Sequence, residues 1–424
     1  MFYMTLIELI RPLESCLTFQ ETTLLIAVLP PYFRTMGKLK RLGLTYEGNV
    51  NLFSQGDVIK GEVVLMVDND KGYGLKDVKG IWVHFQGKAK TKWTTTGNKR
   101  THTHTLKEIY FNDNAVVFGR GKYQREEKGL HIPSGRSSFP FQFRLPMTPL
   151  PSPFEGKYGY IRYRAKATVS LIRTFSNKDY KCEKLFSMTG PTLDLNLNPA
   201  TQSEVQHRKE MFGCCGCGCS PETIITAGLP KKGFVPGEGI YVIGHVDNRD
   251  GDENRMFQAI LFQYITFRSR GNTKTKKYSL KELQSRVACP KGQVTDFNMG
   301  PLTVPPVPSS GLPGCNIIEI AYFVKIESSE FQAKFNVVIG TVPHRTVTRP
   351  PSAVASAPPA DVAGIELSGL TVNPSAPPPS YEEAVGVIDR LTREGNSEDY
   401  FNQDQFVPRY PYFNLTVDVP PAQQ

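Results

Sequence analysis

Ala376-Pro377-Pro378-Pro379-Ser380-Tyr381 sets three consecutive prolines directly before a serine and a tyrosine. Proline holds φ near −65° and has no backbone donor, so the run is already close to a polyproline II helix and loses little entropy on docking. Grooves lined by aromatic rings take such helices, and the tyrosine supplies an amphipathic anchor for an adjacent pocket. Pro378, Pro379, Ser380 and Tyr381 therefore read as a PPxY site for a WW domain. Ser380 and Glu383 make an S-x-x-E capping box, and Ala384, Val385, Ile388 and Leu391 fall near one stripe ahead of Gly395. That predicts a short helix after the motif. A plain proline-rich linker is the competing reading.

Pro408, Arg409 and Tyr410 form a weaker second WW site, since Val407 stands where the first proline belongs. Two full motifs on one linker would gain roughly 10²–10⁴ in avidity, and one weak copy forfeits much of that. Tyr410-Pro411-Tyr412-Phe413 also matches short sorting signals of a tyrosine followed by a bulky residue.

Cys214, Cys215, Cys217 and Cys219 crowd into a Gly/Cys run. They are candidates for palmitoylation beside a membrane, or for a soft metal held by thiolates. The separated C-x₂₋₄-C pairs of a structural zinc site are absent, and small apolar cysteines in a loop are the alternative. Lys88, Lys90, Lys92, Arg162, Arg164 and Lys166 alternate with apolar residues in two segments, and would form one basic surface for a phosphorylated cargo or anionic phospholipid if those segments are neighbours. The alternative is a solvated sheet face. Arg268, Arg270, Lys274, Lys276 and Lys277 make a second cluster, read as a solvated hairpin or a lipid-touching loop. His102 and His104 read as loop residues on a Thr-rich stretch. No G-x-S-x-G, H-E-x-x-H or P-loop string is present, so no catalytic residue, metal or cofactor is expected.

The elements that must position these residues are strands. In residues 81–93, Ile81, Val83, Phe85, Ala89 and Trp93 fall on one face, with His84, Gln86, Lys88, Lys90 and Lys92 on the other. Residues 158–169 repeat the alternation, with Ile161, Tyr163, Ala165, Ala167 and Val169 opposite Arg162, Arg164 and Lys166. A period of two marks half-buried antiparallel strands. Residues 58–67, 139–144, 240–246, 257–267, 317–326 and 335–339 are further β-branched and aromatic strand candidates. Helical crossovers are missing between them, which favours β-sandwiches over a βαβ array. The boundary falls in residues 196–220.

The chain of 424 residues is long enough for two or three domains, and its formal charge is +10. Acidic residues are interspersed with the basic ones, and no recognition helix or RNP-like string accompanies the charge, so nucleic acid is not an expected partner. The 8 cysteines lack the spacing of a disulfide framework, which points to a reducing cytoplasm. Residues 24–29 are too short an apolar run to span a bilayer.

Leu130-His131-Ile132-Pro133, Phe139-Pro140-Phe141-Gln142-Phe143-Arg144-Leu145-Pro146, Ser152-Pro153-Phe154-Glu155-Gly156-Lys157-Tyr158-Gly159 and Ile161-Arg162-Tyr163 resemble the N-terminal domain of alpha-arrestins. Gly233-Phe234-Val235-Pro236-Gly237-Glu238, Leu302-Thr303-Val304-Pro305-Pro306-Val307-Pro308 and Val338-Ile339-Gly340-Thr341-Val342-Pro343 are similar to that family's C-terminal domain. The resemblance covers about residues 36–342 and the tail motif. It implies an all-β chain of two tandem arrestin-type, immunoglobulin-like β-sandwiches, followed by a disordered proline-rich tail. The expected layout is an extension outside the fold over 1–35, an N-terminal domain over 36–200, a linker over 201–219, a C-terminal domain over 220–345 and the tail over 346–424. The resemblance further implies an adaptor that binds membrane receptors or transporters and recruits WW-domain HECT-type E3 ubiquitin ligases, acting from the cytoplasm at the plasma membrane and endosomes. Basic surfaces of the N-terminal domain take phosphorylated tails in relatives. A retromer-like trafficking scaffold working without a ligase is the alternative, because fold alone does not fix function.

Overall fold

The computed structural model describes residues 39–345, apart from 69–73, 98–99, 125–128, 174–176, 213–221 and 330, together with residues 400–401, 408 and 410–413. The first domain carries β1 (Leu39–Tyr46), β2 (Leu52–Phe53), β3 (Val58–Val67), β4 (Leu75–Gly97), β5 (Arg100–Gly119), β6 (Leu130–Ile132), β7 (Gly135–Arg144), β8 (Phe154–Gly156), β9 (Gly159–Leu171) and β10 (Lys178–Met188). One sheet runs β1-β3-β7 and the other β2-β10-β9-β4-β5, with β6 beside β4 and β8 beside β9.

The alternation read from residues 81–93 is the inward face of β4: Ile81, Val83, Phe85 and Ala89 are fully buried, and Trp93 nearly so. Ile161, Tyr163, Ala165, Ala167 and Val169 do the same on β9. Phe85 stacks on Phe143 of the facing sheet, with ring centroids 4.3 Å apart, so the two layers interlock through aromatic rings as well as β-branched side chains.

The second domain carries β11 (Val205–Met211), β12 (Thr223–Leu229), β13 (Gly233–Phe234), β14 (Gly239–Asn248), β15 (Asn254–Ser269), β16 (Asn272–Ala288), β17 (Gln293–Thr303), β18 (Ile318–Ser328) and β19 (Phe331–Ile339). Its sheets run β11-β12-β14-β17 and β13-β19-β18-β15-β16, and Phe257 on Phe297 (4.5 Å) bridges them. The hairpin from β15 to β16 turns through Arg270 and Gly271, both at positive φ, the backbone of a tight two-residue turn matched to strand twist.

Two expectations are corrected. Residues 205–211, assigned to a linker, form β11, an edge strand in register with β12 from Val205 opposite Leu229 to Met211 opposite Thr223. Its side chains are polar and exposed except at the ends, so it carries no apolar period to read. His102 and His104, read as loop residues, sit within β5, where the His104 ring stacks on Trp93 and its Nε2 lies 2.9 Å from the Thr95 hydroxyl. The proposed extension over residues 1–35 lies outside the described residues.

Candidate interaction sites

β4 and β9 are antiparallel neighbours, and their register sets Lys88 opposite Arg162, Gln86 opposite Arg164 and His84 opposite Lys166. The structure thus brings Lys88, Lys90, Lys92, Arg162, Arg164 and Lys166 onto one outer face. The two guanidinium groups are committed within it. Arg162 makes a two-pronged bond to Glu155 of β8, at 2.6 and 2.9 Å, and lies over the Tyr160 ring at 3.9 Å. Arg164 reaches Glu183 of β10 at 3.1 Å and donates to Gln86 at 2.7 Å. Lys88 stands over the same Tyr160 ring at 5.7 Å. Lys92 is the exposed member of the set, at the end nearest the second domain.

His84 reports the potential of this face. Its pKa is lowered, first by burial and then by Arg164, Lys166 and Lys122, against the opposing pull of its hydrogen bond to Asn112. It is neutral at pH 7, and the positive charge of the face is that of Lys and Arg.

The domains meet along a seam built from both. The buried Thr91 hydroxyl of β4 donates to the Arg268 carbonyl of β15 at 2.8 Å. Glu108 of β5 accepts from the backbone and side-chain nitrogens of Asn316 at 3.0 and 2.7 Å. Phe267 packs against Phe154 and edge-on against Tyr158, and Lys274 lies over the Tyr158 ring. A cleft of about 710 Å³ opens where residues 102–107 of β5 face Ser269, Arg270 and Asn272 at the β15–β16 hairpin. Lys274 and Lys277 of the second basic cluster lie on aromatic rings of β16's surroundings, with Lys277 3.5 Å from the Phe262 centroid, and Arg268 pairs with Glu319.

The tail also reaches the seam. Tyr400–Phe401 forms β20, which adds in parallel to β10 at Lys181 and Cys182. Pro408 is buried, and Tyr410, 7% exposed, belongs to the apolar core; its hydroxyl donates to the Pro153 carbonyl at 2.9 Å. The Phe413 amide donates to the Pro236 carbonyl at 2.9 Å. Gly237 stands beside it at φ 95°, where a Cβ would overlap the Phe413 carbonyl. Pro153 precedes β8 of the first domain and Pro236 follows β13 of the second, so this stretch touches both domains.

Pro378, Pro379, Ser380 and Tyr381, the helix expected after them, and Cys214, Cys215, Cys217 and Cys219 lie outside the described residues, as does Arg409. Among the described residues no cluster of His, Cys, Asp or Glu is suited to a metal, and no helix is long and apolar enough to cross a membrane. Sequence reasoning missed the seating of Tyr410. Its signal was available in the aromatic residues Tyr400, Phe401, Phe406, Tyr410, Tyr412 and Phe413, crowded into one stretch of a tail rich in proline and polar residues.

Residues 44–196 match the family model for the arrestin (or S-antigen) N-terminal domain, and residues 220–344 match that for the C-terminal domain. Among curated proteins, the human arrestin domain-containing protein 4 is 25% identical over 386 residues, covering 88% of this chain and 85% of that protein. Human arrestin domain-containing protein 1 is 29% identical over 286 residues, 62% of this chain and 60% of the other. The Caenorhabditis elegans arrestin domain-containing protein 17 is 24% identical over 438 residues, covering 89% of this chain and all of that protein.

Proposed function

The chain belongs to the alpha-arrestin branch of the arrestin family, and from that premise we propose that it is an adaptor that holds a membrane receptor or transporter on its two sandwiches and brings a WW-domain HECT-type ubiquitin ligase to it through its tail. The observation that carries this reading is Pro378-Pro379-Ser380-Tyr381 on the same chain as two packed arrestin domains. About 30 residues separate Arg345 from the motif; proline-rich chain of that length reaches roughly 30 Å as coil and ~90 Å as polyproline II, enough to set a ligase beside a cargo held on the domains.

Ubiquitin transfer is then accelerated by proximity, which turns an encounter in solution into one within a tethered volume. No residue of this chain performs chemistry in that scheme. The basic face of β4 and β9 suits an acidic or phosphorylated cytoplasmic tail, with Lys92 as its exposed entry and the paired arginines as a fixed background of charge. The adaptor acts from the cytoplasm at the plasma membrane and endosomes, where such cargo resides.

The test is affinity purification from cells expressing the full chain or its Tyr381→Ala variant, with cargo ubiquitination read in parallel. Loss of the ligase with retention of cargo supports the proposal. Ligase capture and cargo ubiquitination unchanged by Tyr381→Ala would overturn it, in favour of a trafficking scaffold that works without a ligase.

A further inference from the structure

The tyrosine that anchors the second WW motif is the same tyrosine that is buried in the seam between the domains. Tyr410 is 7% exposed, its hydroxyl donates to the Pro153 carbonyl at 2.9 Å, and its ring is part of the apolar core. Pro408, the other described member of that motif, is buried as well. A WW groove recognises such a segment through the proline and tyrosine side chains, so it needs the very surfaces the domains already cover. One segment cannot occupy both places. We propose that Tyr410 is a latch with two alternative partners: seated in the seam it withholds the second motif from a ligase, and a WW domain that captures it must first pull it from the seam. This rests on the reading of the tail as a ligand of WW domains.

Three independent contacts define the seat. The Tyr410 hydroxyl engages the first domain at Pro153, the Phe413 amide engages the second domain at Pro236, and β20 continues the sheet at β10. Gly237 makes the approach of Phe413 feasible, because any side chain at that position would meet the Phe413 carbonyl. The latch therefore couples two events. Capturing the second motif removes a strap that spans both domains, and closing the strap hides the motif. Affinity for the seated segment falls by the fraction of molecules in which it is free, so a segment released one tenth of the time binds about tenfold more weakly than the same peptide alone.

The experiment uses the full chain carrying Tyr381→Ala, so that an isolated WW domain reads only the second motif. Its affinity is compared with that for a free peptide of residues 405–415. The expected result is binding to the chain at least ~10-fold weaker than to the peptide, with most of the difference recovered by adding Gly237→Ala, which leaves the motif intact and blocks the seat. Because Gly237→Ala strains its own loop, hydrogen exchange supplies a second measurement with native residues. The Phe413 amide should be protected, should lose protection in Tyr410→Ala, and should exchange faster when the WW domain is added. Equal affinity for chain and peptide, or a Phe413 amide exchanging at the free-peptide rate, overturns the latch. A peptide with no measurable WW affinity overturns it too, whereas capture of the unmodified chain through Tyr381 by the same WW domain would leave the adaptor reading standing.

Discussion

Tyr163 of the first domain and Tyr322 of the second make the same bond: each fully buried hydroxyl donates at 2.6 Å to a proline carbonyl, Pro151 for one and Pro308 for the other. In both cases the strand carrying the tyrosine is central in its sheet, and the proline lies in the approach that leads toward it. Burial pushes the Tyr163 hydroxyl well above its ordinary pKa, which favours its protonated, donating form. Tyr163→Phe should cost about 1–2 kcal/mol by stranding a buried carbonyl. Tyr322→Phe should cost more, because that hydroxyl also accepts from Gln263 at 3.0 Å. The sites are in separate domains, so the two losses should add in the double variant. Denaturant unfolding of the three variants decides it: single variants as stable as the parent would show that the bonds are dispensable, and a double variant no weaker than the weaker single one would show that the two sites are not independent.

Tyr381 should dominate ligase contact. Short motifs of this class bind with about micromolar affinity, near −8 kcal/mol, and a central aromatic anchor contributes ~2 kcal/mol or more, so Tyr381→Ala should weaken a peptide of residues 372–394 at least ~30-fold. Phosphorylation of Tyr381 should resemble its loss, since a group of charge near −2 does not enter an aromatic groove without losing hydration. Calorimetry with an isolated WW domain measures all three peptides. Equal affinities would remove the motif from the scheme.

Arg162 and Lys92 stand on one face and should respond oppositely to substitution. Lys92→Ala removes an exposed charge and should weaken binding to vesicles containing phosphatidylserine by roughly fivefold while leaving stability unchanged. Arg162→Ala strands the half-buried Glu155 carboxylate and should lower stability by ~1–3 kcal/mol. Sedimentation with vesicles and thermal unfolding separate the two effects; identical profiles for both variants would mean that the bond to Glu155 does not commit the guanidinium.

His84 should make the fold weaker in mild acid. Its folded pKa lies below the ordinary 6.5, chiefly through burial, so below pH 6.5 the unfolded chain takes up a proton that the folded chain does not. The contribution of neutral His84 is complete above pH 6.5 and is lost progressively as pH falls toward the depressed folded value. His84→Gln should flatten that part of a stability-against-pH curve. An unchanged slope would assign the loss to other groups, among them His344, whose pKa is also lowered by burial.

What could be read from the residues follows from which strands have a dry face. β4 and β9 are central, covered on one side by the facing sheet, and their alternation is plain in the sequence. β5 and β16 are edge strands, largely exposed and rich in Thr, Lys and other polar residues. Such composition protects an edge against pairing with another chain and also erases the period-two signal. The neighbourhood of Lys88 and Arg162 was legible as an inference from two matching alternations. That Glu155 and Glu183 would hold the arginines was not, since those carboxylates arrive from other strands and only the register brings them in. The seat of Tyr410 depends on Pro153 and Pro236, more than a hundred residues away in sequence, and no local pattern encodes a contact of that kind.

Parallel pairing of Tyr400 and Phe401 with Lys181 and Cys182 uses backbone groups on the side of β10 that faces away from β9. An uncovered strand offers such groups to any extended chain that meets it, so these two residues blunt that flank of the first domain against strand addition by another molecule.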